Sequence, residues 1–391
     1  MHANNASCLR SASHSTAAVP VDVTVAYHYP IVIRPGLLND IHDLVRVSFP
    51  GARVAVLTDE TVSELYGEAV LERLRAANIH ATQIVVPAGE PSKSLDAYTD
   101  VLAEMFRTGF DRRGLLLNLG GGVINDLGGF VAATYMRGIA YINVPTTVLA
   151  QVDSAIGGKV AVNVPKAKNF VGAFHHPRAV WSDPSVLRTL PRRDVASGIA
   201  EAIKVAIIGS EELFRFLERE HAAILERCDP AVLAEVVHRS SRLKVELLAA
   251  DPYEKDLRRV LNLGHTFAHP LEVELGYGRI QHGEAVAHGI ALAAMIAFRR
   301  GILSEANLQR ILALLAAYDL PPPVEAQSLI DACARFDAIR LVRANKLNYV
   351  LPVRIGECVI VPELEQPEIV GALEALIALP APSDAKAAAA R

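Results

Sequence analysis

Cysteine is scarce and scattered: Cys8, Cys228, Cys333 and Cys358 form no C-x-x-C pair. That argues against a disulfide framework or a cysteine-held metal, and it fits a reducing cytoplasm. A strong excess of either charge is also missing. The formal net charge is −4, so nothing in the balance calls for nucleic acid or an anionic membrane. Long apolar runs are absent too, since stretches such as 290–298 fall well short of a bilayer span. Residues 1–20 are polar and lack the continuous apolar core of a secretory signal, so they read as a flexible leader. The low-complexity run 380–391 reads as a frayed tail, and no internal repeat is visible. What remains is a chain of 391 residues, 51% hydrophobic, with the length and burial capacity of a soluble two-domain enzyme.

The stretch LNLGHTFAHPLEVELGYGRIQHGE, 261–284, is the densest in chemistry. It sets His265 and His269 one helical turn apart and returns with His282 in a His-Gly-Glu turn. Upstream, ASGIAEAIKVAII places Glu201 three positions before Lys204, so both project from one helix face. Glu201, His265 and His282 together would make a three-ligand site for a divalent cation with coordination positions left open. Open positions distinguish a catalytic metal from a structural one. Any one of these histidines alone reads more simply as a polar residue near a helix end.

A second motif lies between Leu115 and Lys159. Leu115, Leu116 and Leu117 read as a buried strand, followed by Gly120, Gly121, Gly122, Val123, Ile124, Asn125 and Asp126. A strand running into glycines that open a helix lets backbone N–H groups approach a pyrophosphate with no Cβ in the way. Alone, such a run is equally a tight turn. An earlier strand ending in Thr58 and Asp59, and a polar loop carrying Glu90 and Lys93, add support. An acidic residue at a strand's carboxyl end suits ribose hydroxyls, so a dinucleotide site is favoured.

Short β-type runs (VDVTVAY, YPIVI, ARVAVLTD, ATQIVVP, GLLLNL, AYINVP, AVWSD) alternate with amphipathic stretches as far as Asp183. Helical periodicity dominates from Leu187, and YVLPVRIGECVIVP near the end reads as a hairpin. The expectation is an α/β NAD-binding domain over 21–190, with a parallel, Rossmann-like sheet, then a mainly α-helical metal and substrate domain over 191–379. The active site should lie in the cleft between them.

GGGVINDLGGFVAATYMRG, VPTTVLAQVDSAIGGKVAVN, AKNFVGAF, TLPRRDVASGIAEAIK and NLGHTFAHPLE together resemble the sugar phosphate cyclases, above all 3-dehydroquinate synthase, over roughly 21–365. The resemblance implies a dehydroquinate synthase-like fold, NAD and a divalent metal, zinc or cobalt. It puts Glu201, His265 and His282 on the metal ligands. Asp59, Glu90, Lys93, Gly121, Gly122, Val123, Asp126, Thr146, Thr147 and Ser154 fall on NAD-binding positions, with Thr189 and Asp194 at the outer edge. Asp153, Lys159, Lys168, Asn169, Lys204, Lys244, Arg258, Asn262 and His269 fall on the pocket for substrate, phosphate and the inner end of NAD. Arg137 matches an arginine that the family lends to the neighbouring subunit, which implies a homodimer.

The implied reaction takes 3-deoxy-D-arabino-heptulosonate 7-phosphate to 3-dehydroquinate and orthophosphate. It proceeds by oxidation at C5, loss of phosphate, return of the hydride, ring opening and aldol closure. Lys244 and Arg258 match the residues that bind the substrate carboxylate. The chain also departs from the pattern. Ile339-Arg340-Leu341 stands where Asp-Lys-Lys is usual, Pro270 follows His269, and DPYEKDLRR replaces an acidic segment. These departures lean toward cyclases acting on sedoheptulose 7-phosphate, the alternative within the family. A metal-dependent polyol dehydrogenase is the alternative outside it.

Overall fold

The computed structural model describes residues 28–165, 167–249, 251, 253, 260–276, 278–336 and 348–379. The first half is built on a parallel sheet of β1 (Ile31–Ile33), β2 (Val54–Asp59), β3 (Ala81–Val86), β4 (Leu115–Gly120), β5 (Ala140–Pro145) and β8 (Ala179–Ser182). The strand order is β1-β8-β5-β4-β2-β3, every neighbouring pair parallel. All six residues of β4 are buried, which is why Leu115, Leu116 and Leu117 read as a continuous apolar run, and the buried Asn118 donates to Asn143 of β5 at 3.0 Å. Helices α1 (Ile41–Ser48), α2 (Glu68–Ala76), α3 (Leu95–Arg107) and α4 (Gly122–Thr134) make up most of the connections.

Two further strands, β6 (Lys159–Val164) and β7 (Ala167–Phe174), pair antiparallel in a hairpin outside the sheet. None of the runs identified as strands in the sequence covers this hairpin. In β6, Val160 and Val162 are buried while Lys159 and Ala161 are not, so the alternation is present but lies on one short, half-covered ribbon. Of the expected strands, VDVTVAY falls on 21–27 and lies outside the described residues.

The second half contains α5 (Arg192–Gly209), α6 (Glu211–Leu225), α7 (Pro230–Leu248), α8 (His265–Leu275), α9 (His282–Arg299), α10 (Glu305–Ala317), α11 (Ala326–Ala334) and α12 (Gln366–Ile377). The expected hairpin near the end forms as β9 (Tyr349–Arg354) and β10 (Glu357–Val361). Helices α5 and α9 are apolar nearly all round and run through the interior, as such helices must. One continuous core joins Leu117, Leu119 and Val144 of the sheet to Ile199 and Ile203 of α5, Phe267 of α8 and Val286 of α9. The two halves therefore share packed side chains, and the elements that carry polar chemistry are held against each other. No described helix is long and apolar enough to cross a membrane.

Candidate active site

Glu201 and Lys204 sit one turn apart inside the apolar surround of α5, at 1% and 2% exposure. Burial pushes the Glu201 carboxyl up, but the Lys204 ammonium and the His265 and His282 rings outweigh it, holding the group well below the usual carboxylate range. Lys204 ion-pairs with Oε2. The other oxygen, Oε1, is buried with only the two imidazole rings facing it. Such a shortfall is costly unless something else satisfies it.

The two histidines reach this carboxylate from helix starts. Gly264, at φ 80°, turns the chain into α8, and His265 is its first residue. Its Nδ1 lies 3.2 Å from the Leu263 carbonyl, which fixes that ring face and leaves Nε2 3.6 Å from Glu201 Oε1. His282 opens α9 with Nε2 3.5 Å from the same oxygen. A Cβ at Gly283 would lie 1.8 Å from the Ser197 carbonyl, so only glycine lets α9 approach α5 closely enough to bring His282 to Glu201.

Ligand atoms of Glu201, His265 and His282 all fall within 4.8 Å of one another. Two ligands each about 2.1 Å from a zinc ion at the tetrahedral angle stand about 3.4 Å apart. The spacings of 3.5 and 3.6 Å about the buried Oε1 therefore fit a divalent cation. Burial, with Lys204 beside it, pushes His265 down to about 3, so its ring is neutral and able to ligate. Burial also opposes charge on His282, yet Glu201 and Glu272 outweigh it and raise the ring to about 10. A proton on His282 takes the place of positive charge that a cation would bring, so metal loading would release it.

The residues expected to hold the nucleotide stand at the carboxyl ends of β2, β4 and β5, neighbours in the sheet. Gly121 and Gly122 carry the chain from β4 into α4, whose amino end has no side-chain cap. Open N–H groups at a helix start attract phosphate. A Cβ on Gly121 would press on Thr147 at 3.1 Å, and one on Gly122 on the Ser154 hydroxyl at 3.1 Å. Val123 follows in the first turn of α4. The Thr146 and Ser154 hydroxyls are buried without partners, while Thr147 Oγ1 accepts from Ala150 N at 3.2 Å.

Asp59 ends β2, and its side chain caps the turn that follows, accepting from Val62 N at 3.0 Å. Lys93, 5% exposed, ion-pairs with Asp126 of α4. Burial raises the Asp126 carboxyl and Lys93 only partly offsets it. Asn163 of β6 donates to Glu90 at 2.8 Å, tying that loop to the hairpin.

A chain of alternating charges joins the two sides. Lys244 on α7 lies 2.7 Å from Asp153 Oδ1 and acts electrostatically on Asp126 as well. Asp153 is pushed up by burial but held low overall by Lys244 and then Lys204. Lys204 in turn pairs with Glu201. Charges on α5, α7 and α4 thus influence one another from Glu201 to Asp126.

His269 packs its ring against His265 and His282, with centroids 5.5 and 6.2 Å away. Asn262 closes the turn before α8 and is half-buried. Lys159 and Asn169 stand on the hairpin at exposed positions, Asn169 at φ 52°. Lys168 reaches Glu272 on α8 at 3.2 Å. Thr189 shares its hydroxyl with Tyr66 at 2.7 Å, and Asp194 accepts from Gln281. Arg137 is exposed in a turn where Met136, Arg137 and Gly138 all have positive φ. Arg258 and Arg340 lie outside the described residues.

Glu272 was not among the expected residues. It follows His265 by seven positions and His269 by three, so the helical spacing of HTFAHPLE put all three on one face.

A parallel six-stranded sheet joined to a helical half that brings a carboxylate and two imidazoles within reach of one cation defines a candidate metalloenzyme. A model described as the 3-dehydroquinate synthase N-terminal region matches residues 83–197, and one for its C-terminal region matches 198–337. The 3-dehydroquinate synthase of Symbiobacterium thermophilum is 44% identical over 89% of this chain and 98% of its own length. Among solved structures, ValA (2-epi-5-epi-valiolone synthase) of Streptomyces hygroscopicus, with NAD+ and Zn2+ bound, superposes with TM-score 0.85. It is 31% identical over 92% of this chain and 99% of that one. A 2-deoxy-scyllo-inosose synthase bound to carbaglucose-6-phosphate, NAD+ and Co2+ gives 0.77 at 25% identity, over 88% and 95%. The chain belongs to the 3-dehydroquinate synthase family and is a carbon–oxygen lyase.

Proposed function

We propose that the chain converts 3-deoxy-D-arabino-heptulosonate 7-phosphate to 3-dehydroquinate and orthophosphate, with NAD and zinc or cobalt as cofactors. The observation that carries this reading is the convergence of Glu201, His265 and His282, linked through Lys204, Asp153, Lys244 and Asp126 to the glycine turn. When bound, the two cofactors supply a Lewis acid for vicinal oxygens and a reversible hydride acceptor.

The protein's part is to hold one substrate through several steps. Glu201, His265 and His282 hold the cation. Gly121, Gly122, Val123, Thr146, Thr147 and Ser154 receive the nucleotide phosphates, and Asp59, Glu90, Lys93 and Asp126 line its approach, with Thr189 and Asp194 at the edge. Lys159, Lys168, Asn169 and His269 offset charge on the leaving phosphate. Asp153, Lys204 and Asn262 orient the polyol beside the metal. Enclosure by packed helices excludes water from an intermediate prone to side reaction. Arg137, carried on an exposed turn, would complete the phosphate site of a second copy in a homodimer. The protein works in the cytoplasm, and the halves 21–190 and 191–379 act as its two domains.

One observation favours a second reading, a sedoheptulose 7-phosphate cyclase. Lys244 Nζ is already held by Asp153 and by the Asp153 and Ile156 carbonyls, so it is not simply displayed to a substrate carboxylate. The two sugars, offered separately to the NAD- and cobalt-loaded protein, distinguish these readings by phosphate release and product NMR. Preference for the carboxylated sugar, lost in Lys244→Ala or Arg258→Ala, supports dehydroquinate synthesis. Equal or better turnover of sedoheptulose 7-phosphate overturns it. Net accumulation of NADH with a simple polyol would mark a dehydrogenase instead.

A further inference from the structure

We propose that Glu272 is a positioning residue that both orients the metal ligand His282 and tethers the β6–β7 hairpin to the metal centre. Glu272 is 4% exposed on α8. One of its oxygens, Oε1, lies 3.5 Å from His282 Nδ1 and 3.2 Å from Lys168 Nζ. The other ring nitrogen of His282, Nε2, is the one facing Glu201.

A neutral imidazole carries a single N–H. An acceptor at Nδ1 places that hydrogen there and leaves the Nε2 lone pair pointing toward Glu201 and His265. The same oxygen holds the ammonium of Lys168, which stands on β7 in the other half of the molecule. A buried carboxylate needs such partners to remain charged. Here the partners are a metal ligand and a hairpin residue, so the hairpin's seat depends on the group that orients the ligand.

This inference rests on the metal assignment under the proposed function. Metal-free protein is titrated with Co2+ while the ligand-field absorption is recorded, for wild type, His265→Ala, Glu272→Gln, Glu272→Ala and Glu274→Gln. Glu274 pairs with Arg335 away from the ligands and serves as a control. Losing an outer partner of a ligating histidine costs about 10–100-fold in metal affinity. Glu272→Gln, which keeps an acceptor, is expected near the lower end with a shifted spectrum, Glu272→Ala near the upper end, and Glu274→Gln unchanged. In the same metal-free proteins, hydrogen exchange over 159–174 is expected to quicken in Glu272→Gln, Glu272→Ala and Lys168→Met. Wild-type cobalt affinity and spectrum in both Glu272 variants would overturn the orienting role, and unchanged exchange would overturn the tether. If His265→Ala binds cobalt as wild type does, the metal assignment itself fails, a separate outcome.

Discussion

Gly283→Ala tests how closely the two buried helices must approach for the metal site to exist. The added Cβ would lie 1.8 Å from the Ser197 carbonyl oxygen and 2.5 Å from its carbon, both backbone atoms that no rotamer change can move. Ordinary contact begins at 3.4 Å, so α9 must retreat from α5 by about 1.6 Å along that direction. Overpacking of this kind costs about 1–3 kcal/mol of stability. The functional cost is larger, because the same retreat carries His282, the preceding residue, away from Glu201 by a comparable amount. A displacement of about 1 Å in a preorganised site costs about 100-fold in rate.

The expected result for Gly283→Ala is a folded protein with a lowered melting temperature. Its cobalt affinity should fall at least about tenfold, and phosphate release from the heptulosonate 7-phosphate about 100-fold. Gly371→Ala is the control. It sits in α12, where the new Cβ meets nothing closer than the Arg299 guanidinium at 3.5 Å. An interior helix Gly→Ala there should stabilise by about 0.5–1 kcal/mol and leave cobalt binding unchanged. Metal affinity and turnover at wild-type levels in Gly283→Ala would refute the reasoning.

Three further outcomes are expected. Glu201→Gln and His265→Ala should each abolish bound metal and turnover together. Glu201→Gln also leaves the Lys204 ammonium buried without its carboxylate, a loss of about 3–5 kcal/mol that a second change, Lys204→Met, should partly recover in denaturant melts. Lys93→Met should strand Asp126 and weaken NAD binding by calorimetry at least tenfold, whereas Lys93→Met with Asp126→Asn should regain stability without regaining NAD affinity.

His288 supplies a pH signature. Burial pushes it down to about 4 despite its contact with the Pro322 carbonyl at 2.9 Å. The unfolded ring takes a proton near its ordinary 6.5 while the folded one does not. Stability present above pH 6.5 is therefore lost as pH falls toward about 4, by up to about 3 kcal/mol. His288→Gln should flatten the urea midpoint across that range.

Much of this was legible in the sequence, for physical reasons. Buried parallel strands carry continuous apolar runs, so 115–117 and 54–57 identified themselves, and α5 and α9 carried helical periodicity with glycine where close approach is needed. The convergence of Glu201, His265 and His282 was legible because a carboxylate and two imidazoles in otherwise apolar helices have few other uses. The β6–β7 hairpin was less visible, since a half-exposed ribbon buries only Val160 and Val162 of its first strand. Glu272 was hidden differently. A glutamate in a helix usually faces solvent, and only its spacing of seven from His265 and three from His269 marked it. Lys244 matched a substrate-binding position in the sequence, yet it is anchored by the Asp153 carboxylate and the Asp153 and Ile156 carbonyls, a partnership between segments some ninety positions apart that no local pattern encodes.

The most direct measurement is anomalous diffraction at the cobalt edge from crystals of the cobalt-loaded protein. One strong peak is expected about 2.0–2.2 Å from a Glu201 carboxylate oxygen and from Nε2 of both His265 and His282. A peak elsewhere in a catalytically active crystal, or active protein with no metal between these three side chains, would contradict the account.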